Sequence, residues 1–270
     1  MRWLLTTRRR FVQGLSLLAL TSNFSGTSLG AACIPVLHCE ACALTWLGCP
    51  IGIMASALAF HEVPWLLLGI VVGLGLLVGR FFCGWVCPTG FVQDLLFKIP
   101  SPKIELPRWM RLIKYGVLGI SVVGVSYFLG REHILSFCKW CPTATASDGI
   151  PDVLQHGSTS AGWNVSRWAI LTAVIVFAVL NHRSFCKVLC PVGALVSVPG
   201  RFSWLAIRLN AAKCMRCRQC DKQCPMDVKV EACKDSGHRI NRDPECVNCL
   251  TCEAVCTKQA IDNNSRILKR

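Results

Sequence analysis

The chain has 270 residues, of which 53% are hydrophobic and 16% are charged, and its formal net charge is +14. A mean hydropathy of +0.46 is too high for an ordinary soluble domain and predicts a membrane protein. A small secreted disulfide scaffold is excluded, because the chain is long and eight of its 19 cysteines have the spacing of metal-cluster ligands. The basic residues are scattered over loops without a nucleic-acid-binding motif, so nucleic acid is not an expected partner.

Four apolar stretches are predicted to cross the bilayer, at about residues 11–32, 64–82, 112–129 and 167–182. The first follows Arg8, Arg9 and Arg10, a run that also resembles a twin-arginine export signal. A shorter apolar stretch at 51–60 is too short to span, and it predicts an interfacial or re-entrant helix that starts at Pro50.

The basic residues predict the orientation of these spans. Of the 29 Lys and Arg residues, 26 lie in residues 1–10, 80–114 and 183–270, and the other three lie in residues 131–167. Because Lys and Arg concentrate in cytoplasmic loops, both termini are predicted to be cytoplasmic. The expected location is the inner membrane of a bacterium or archaeon, with several passes.

The membrane domain, residues 1–200, is predicted to contain two parallel repeats, at about residues 11–100 and 112–200. Each repeat has a span, an outer Cys-x2-Cys pair, a second span and an inner Cys-x3-Cys-Pro motif. The inner cysteines are Cys83, Cys87, Cys186 and Cys190. The outer cysteines are Cys39, Cys42, Cys138 and Cys141, with Cys33 and Cys49 close to them in sequence.

Each cysteine quartet has two interpretations. The inner quartet is predicted to ligate one metal centre, and the alternative is a set of buried thiols that pack as small hydrophobic groups. The outer quartet could hold a second centre or form disulfides in an oxidising compartment. Near the outer ends of spans, His61, Glu62, Glu132 and His133 are either proton acceptors for a quinone headgroup or solvated loop residues.

Residues 201–270 contain two cysteine runs of the same spacing, Cys214-x2-Cys217-x2-Cys220-x3-Cys224-Pro225 and Cys246-x2-Cys249-x2-Cys252-x3-Cys256. This pattern is typical of ferredoxins with two clusters, in which the fourth cysteine of each run ligates the other cluster. One [4Fe–4S] cluster is therefore assigned to Cys214, Cys217, Cys220 and Cys256, and the second to Cys246, Cys249, Cys252 and Cys224. Zinc knuckles are the alternative, but they use two pairs of ligands. Cys233 lies outside the spacing and is predicted to be a spare.

Residues 64–260 resemble the NapH type of ferredoxin-like membrane subunit, which accompanies periplasmic nitrate reductase. The resemblance rests on the two Cys-x3-Cys-Pro motifs, on the sequence Cys190-Pro-Val-Gly-Ala-Leu195 and on the dicluster run. It implies a four-span protein that takes electrons from quinol towards a periplasmic reductase, together with other redox subunits of a respiratory complex. It also implies kinship with membrane polyferredoxins of nitrous-oxide respiration and of cytochrome oxidase assembly. The outer cysteines depart from the nitrate-linked pattern, and a flavin-binding extension is missing.

The expected fold class is an α-helical membrane protein, a four-helix bundle of two parallel repeats with a C-terminal α+β bacterial-type dicluster ferredoxin domain. The expected function is electron transfer between the quinone pool or a cytoplasmic donor and a redox partner at the outer face, with quinol dehydrogenase activity as the enzymatic form. No catalytic residue is assigned. The alternatives are an assembly factor that reduces a metal ion or a disulfide for a respiratory enzyme, and a cluster-containing sensor.

The charge bias generates a test of topology. A reporter enzyme fused after Arg270 is expected to be active only in the cytoplasm, and one inserted within residues 131–167 only in the periplasm, because Lys and Arg are retained on the cytoplasmic side. A periplasmic signal from the Arg270 fusion would contradict the four-span prediction.

Overall fold

The computed structural model describes residues 2–21, 49–104, 106–130, 133–146, 163–236 and 239–263, and side chains within the first of these ranges for residues 7–17. Its backbone contacts divide the chain into two units. Unit 1 comprises residues 1–13, 70–86 and 196–270, and unit 2 comprises residues 14–69 and 87–195.

The regular elements described in the first half of the chain are all helices. Its helices are α1 (Arg2–Thr21), α2 (Pro50–Ala59), α3 (Trp65–Val78), α4 (Phe81–Trp85), α5 (Pro88–Leu96) and α6 (Arg108–Phe128). Helix α6 begins with a 3₁₀ turn at Arg108–Leu112 and has a π-helical stretch at Val117–Gly124. Helix α3 ends at Val78 because Gly79 adopts a positive φ of 63°, a common helix terminator.

The second half adds short helices and a two-stranded sheet. The elements are α7 (Phe137–Trp140), α8 (Pro142–Ala144), α9 (Trp163–Leu180), α10 (Ser184–Val188), α11 (Pro191–Gly200), β1 (Ile207–Leu209), α12 (Gln219–Lys222), α13 (Cys233–Ser236), a 3₁₀ turn (Ile240–Arg242), α14 (Thr251–Val255) and β2 (Ile261–Asn263). Strands β1 and β2 are antiparallel, with Arg208 opposite Asp262.

Within unit 2, the short helix α2 packs against α6, and α9 packs against α5 and α8. Helix α10 contacts the beginning of α6 and the end of α9. Buried apolar side chains lie at these contacts, among them Ile51, Met54, Val122 and Ala178. Helix α2 begins at Pro50, where the sequence predicts a short helix.

One described helix, α6, is long and apolar enough to cross a membrane, with a mean hydropathy of 1.2 over its most apolar window. It corresponds to the predicted span at 112–129. The other apolar helices are shorter, and residues 22–48, which contain much of the first predicted span, lie outside the described part of the chain. The four-span bundle therefore stays a prediction.

Within unit 1, β1 and β2 cover a small core with the 3₁₀ turn, and α12 packs against α14. The core contains Ile207, Met226, Val230, Ile240 and Leu250, each of which is at most 2% exposed. The buried side chain of Asn241 ties this core to the preceding loop: its Oδ1 accepts the N–H of Ile207, and its Nδ2 donates to the carbonyl of Leu205.

Candidate iron–sulfur sites

Two cavities in unit 1 are each lined by four cysteines. Site I is lined by Cys214, Cys217, Cys220 and Cys256. Site II is lined by Cys224, Cys246, Cys249 and Cys252. These sets are the two that the spacing predicts, with the fourth cysteine of each run lying in the cavity of the other. In the described part of the chain, no three His, Cys, Asp or Glu side chains are arranged to hold a single metal ion.

The backbone around the two sites repeats at an offset of 32 residues, the same offset as that of the cysteines. Left-handed residues occupy matching positions in both runs, at Arg216 and Asn248, at Arg218 and Leu250, and at Asp227 and Gln259. Alternation of right-handed and left-handed residues turns successive N–H groups into one concave surface that suits an anionic group.

Sulfur atoms also accept backbone hydrogen bonds. In site II, the N–H of Val228 donates to Cys224 Sγ at 3.4 Å, and in site I, the N–H of Ala260 donates to Cys256 Sγ at 3.3 Å. Each donor lies four residues after its cysteine, so the two crossing cysteines have equivalent surroundings. Such bonds stabilise a ligand sulfur in its anionic form.

Site II is buried and apolar. Its lining includes the buried side chains of Met226, Val228 and Leu250, and no charged residue. Burial, followed by the nearby cysteines, raises the pKa of Cys252 well above its ordinary value, and burial raises the pKa of Cys224 to about 11. Without a metal, four thiolates in this cavity would therefore be unfavourable.

Site I lies at the surface. Cys217 is exposed, and the neighbouring Met215 is 56% exposed. Burial and the adjacent Asp221 raise the pKa of Cys220 to about 12. Four basic residues and one acidic residue line this cavity: Lys213, Arg216, Arg218, Lys258 and Glu231.

The first inner Cys-x3-Cys-Pro motif begins in α4, which lies directly against site II. A Cβ atom added at Gly84 would lie 2.3 Å from the carbonyl oxygen of Val247 and 3.4 Å from Cys249 Cα. Trp85 Nε1 donates to the carbonyl of Asn248 at 3.1 Å. The helix carrying Cys83 therefore contacts the loop that presents the cysteines of site II.

Helix α1 and Arg80 hold this contact together. Arg9 Nε and Gln13 Nε2 both donate to the carbonyl of Gly84, at 2.9 and 3.0 Å. The buried Arg80 donates to the carbonyl of Pro244 and lies 3.7 Å from the carboxylate of Glu245. Both interactions join segments that are far apart in sequence.

The second inner motif lies in unit 2 and is held by α5. Gln93 bridges the two elements, because its Nε2 donates to Cys186 Sγ at 3.3 Å and its Oε1 accepts the N–H of Phe185 at 3.2 Å. The buried Arg183 donates from Nε and Nη2 to Asp94, both at 2.7 Å. His182 also contacts this carboxylate, at 2.9 Å.

Each inner motif is preceded by an arginine that the sequence analysis did not identify. Arg80 and Arg183 each lie three residues before the first cysteine of their motif, and each pairs with a carboxylate, Glu245 or Asp94. The repeated Arg-x-x-Cys spacing was the available signal. Cys83 belongs to unit 1, whereas Cys87, Cys186 and Cys190 belong to unit 2, so convergence of all four stays a prediction.

Four cysteines begin helices in the same way, each followed by proline at the first helical position: Cys49, Cys87, Cys141 and Cys190. The carbonyl of each accepts the N–H four residues later, at 3.1 to 3.2 Å. Proline suits this position because its fixed φ is helical and the first N–H of a helix has no partner within it. Cys49 thus has the same local structure as Cys141.

Of the predicted outer cysteines, Cys39 and Cys42 lie outside the described residues, as does Cys33. Cys138 is half-buried and Cys141 is buried. Burial raises the pKa of Cys141 to about 11, and Cys49 contributes as a nearby charge. Cys49 and Cys141 are both free thiols.

The remaining candidates have less specific surroundings. The exposed His61 contacts the edge of Tyr127 at 4.7 Å between ring centroids, and Glu62 is exposed. His133 Nδ1 accepts the N–H of Leu135, and Glu132 lies outside the described residues. Cys233 lines neither cavity.

Comparison with known protein families gives two matches, one around each inner motif. Residues 60–107 and 163–210 each match a 4Fe–4S binding domain. The two matches are offset by 103 residues, which is also the offset between Cys83 and Cys186. They contain both Cys-x3-Cys-Pro motifs and end before Cys214. Comparison of the whole sequence with individual proteins gives further similarities.

The ferredoxin-type protein NapH of Haemophilus influenzae is 26% identical to this chain over 227 residues, which are 79% of the chain and 74% of NapH. This chain is a relative of the ferredoxin-type 4Fe–4S proteins. The resemblance to the NapH type is thereby confirmed.

Two other proteins are similar to this chain over about three quarters of its length. The uncharacterized protein MJ0750 of Methanocaldococcus jannaschii is 28% identical over 216 residues, 75% of this chain and 79% of MJ0750. YccM of Escherichia coli K12 is 28% identical over 204 residues, 73% of this chain and 54% of YccM. No solved structure matches the chain.

The contact at Gly84 generates a stability prediction. Gly84→Ala places a methyl group against the Val247 carbonyl, so α4 must move away from site II at a cost of about 1–3 kcal/mol. We expect a lower unfolding temperature of the purified protein in detergent and a changed electron paramagnetic resonance signal from the centre in site II.

Gly73→Ala is the matched control, because a Cβ atom at Gly73 in α3 has no neighbour within 4 Å. Alanine is the better helix former by up to about 1 kcal/mol, so this variant is expected to keep its stability. Equal behaviour of the two variants would show that α4 does not depend on the close approach.

Proposed function

We propose that this ferredoxin-type protein is a membrane-bound electron-transfer protein. It carries electrons between the quinone pool or a cytoplasmic donor and a redox partner at the outer face of the membrane. The observation that supports this most strongly is the pairing of two four-cysteine cavities with a helix of the first inner motif packed directly on one of them.

The residues of both sites fit [4Fe–4S] clusters, which supply reversible one-electron transfer when bound. Each site offers four thiols, and one sulfur of each receives a backbone N–H. The left-handed residues orient further N–H groups around each cavity. Cluster binding would remove the free-energy cost that burial imposes on the thiolates of site II.

The path that we propose runs from the first inner motif through site II to site I. Because Gly84 has no side chain, the backbone of α4 comes close to the loop of Cys249. Cys83 directly precedes Gly84 in sequence and therefore lies next to this contact. Burial of site II keeps water and small oxidants away from this step. The exposure of Cys217 makes site I the end of the path that faces solvent.

The inner cysteines are proposed to hold a further iron–sulfur centre. Both 4Fe–4S domain matches include an inner Cys-x3-Cys-Pro motif, and this supports a ligand role for Cys83, Cys87, Cys186 and Cys190. The bond from Gln93 to Cys186 would fix the orientation of one of these thiols. In the outer set, the local similarity of Cys49 and Cys141 makes Cys49 a candidate ligand beside Cys138.

The second candidate function is an assembly factor that reduces a metal ion or a disulfide. This function is favoured because Cys49 lies close enough to Cys141 to raise the pKa of Cys141 by charge repulsion. Both cysteines are free thiols, and each directly precedes a helix. Outer cysteines that cycle between dithiol and disulfide during turnover would distinguish this function from simple electron transfer.

Two serine variants test the assignment of the ferredoxin clusters. Cys217→Ser is expected to remove the low-potential paramagnetic signal of site I and to weaken that of site II, because each run supplies one ligand to the other site. Cys233→Ser is the control, since Cys233 lines neither cavity. Equal loss of signal in both variants would refute the assignment.

A double variant tests the inner centre. Replacing Cys87 and Cys190 together by serine is expected to remove up to about four irons per chain and to abolish quinol-dependent reduction of the ferredoxin clusters. Reduction by dithionite should persist, because sites I and II keep all their cysteines. Unchanged iron with unchanged quinol-dependent reduction would make the inner cysteines packing residues.

A further inference from the structure

The two four-cysteine sites differ sharply in the charge of their surroundings. Of the residues lining site I, four are basic and one is acidic, so the formal charge of this lining is +3 with neutral thiols. The residues lining site II carry no formal charge. Because the two runs have the same cysteine spacing and left-handed residues at matching positions, this difference comes from the residues between and beside the cysteines and not from the requirements of a cluster.

The basic residues of site I do not all have the same role. Arg218 is paired with Glu231 at 2.6 Å, so its charge is partly balanced. Lys213 directly precedes Cys214, and Lys258 lies two residues after Cys256, so these exposed lysines border the cavity from two separate parts of the chain. Lys234 is outside the lining of site I and stabilises the fold, because its Nζ donates to the carbonyl of Cys214 at 2.8 Å.

An apolar side chain lies beside this basic rim. Met215 is 56% exposed and lies between Cys214 and Arg216 in the lining of site I. A small apolar contact within a mainly basic rim is typical of a transient docking surface, in which charge steers the encounter and the apolar centre is desolvated. The flexible, polarisable methionine suits a surface that binds briefly.

We infer that the rim of site I is the docking port for an acidic, soluble one-electron carrier. The inference rests on the proposed function, since it requires a redox centre in site I. In each encounter one electron leaves the reduced carrier and enters that centre. No bond forms or breaks and no proton moves. The competing explanation is that the rim only balances the negative charge of the centre.

The test uses the full chain, loaded with clusters and purified in detergent, and a reduced plant-type [2Fe–2S] ferredoxin as an acidic probe. Stopped-flow absorbance measures the second-order rate constant of electron transfer. The double charge reversal Lys213→Glu with Lys258→Glu is expected to lower this constant about tenfold or more at low ionic strength. High salt should lower the rate of the native protein and remove most of the difference.

The matched control is Lys222→Glu with Lys229→Glu. Both lysines are exposed in the same domain, neither lines site I, and the change in net charge is the same. This variant is expected to change the rate constant less than about twofold. Its ferredoxin affinity, measured by titration calorimetry, should also match that of the native protein, whereas the site I variant should bind more weakly.

Two results would overturn the inference. One is an equal loss of rate in both double variants, which would reflect net charge alone. The other is a shifted reduction potential of the site I centre with an unchanged ferredoxin rate, which would make the rim a charge-balancing device. Iron content and reduction by dithionite separate these results from failure of the proposed function. If native protein holds no dithionite-reducible clusters, the proposed function fails. If it does and only the ferredoxin arm fails, the port alone is refuted.

Discussion

The structure depends on one electrostatic constraint, the burial of several thiol groups at the same place. In site II burial and neighbouring cysteines raise the pKa of Cys252, so an apo cavity holds protonated thiols. A cluster would reverse this preference, because the metal neutralises the thiolates and the N–H of Val228 already donates to Cys224 Sγ. If site II holds the proposed cluster, folding of the domain and cluster binding are coupled, and the apolar core around Met226 and Leu250 surrounds the centre with a medium of low dielectric constant.

The proposed electron transfer also accounts for the position of α4 against site II. A buried redox centre exchanges electrons only if another centre comes close, and side chains at the contact would keep the two apart. Gly84 has no side chain to form that obstacle, and its carbonyl is held by hydrogen bonds from Arg9 and Gln13. The equivalent residue of the second repeat is Lys187, which is buried in unit 2 and bonded to Asn181. The two repeats thus share a cysteine motif but have different surroundings, which is consistent with a division of labour between them.

Much of the candidate site could be predicted from the sequence, because cluster ligation imposes a strict spacing. The exchange of Cys224 and Cys256 between the cavities followed from that spacing. The contrast between a buried site II and a basic, exposed site I could not be predicted, since both runs have the same pattern and burial depends on distant residues such as Ile207. The contact of Arg80 with Glu245 joins residues more than 160 positions apart. Hydropathy also overestimated the helix at 64–82, because Gly79 terminates it at Val78.

We propose that each four-cysteine cavity holds one [4Fe–4S] cluster. The most direct measurement is the iron and acid-labile sulfide content of the chain after anaerobic purification, with zinc determined in the same sample. We expect at least about eight irons per chain with an equal amount of sulfide, and about 12 of each if the inner cysteines hold a further cubane cluster. About two zinc ions per chain without sulfide would contradict it, because the cysteine runs would then be zinc sites and the electron path would have no carriers.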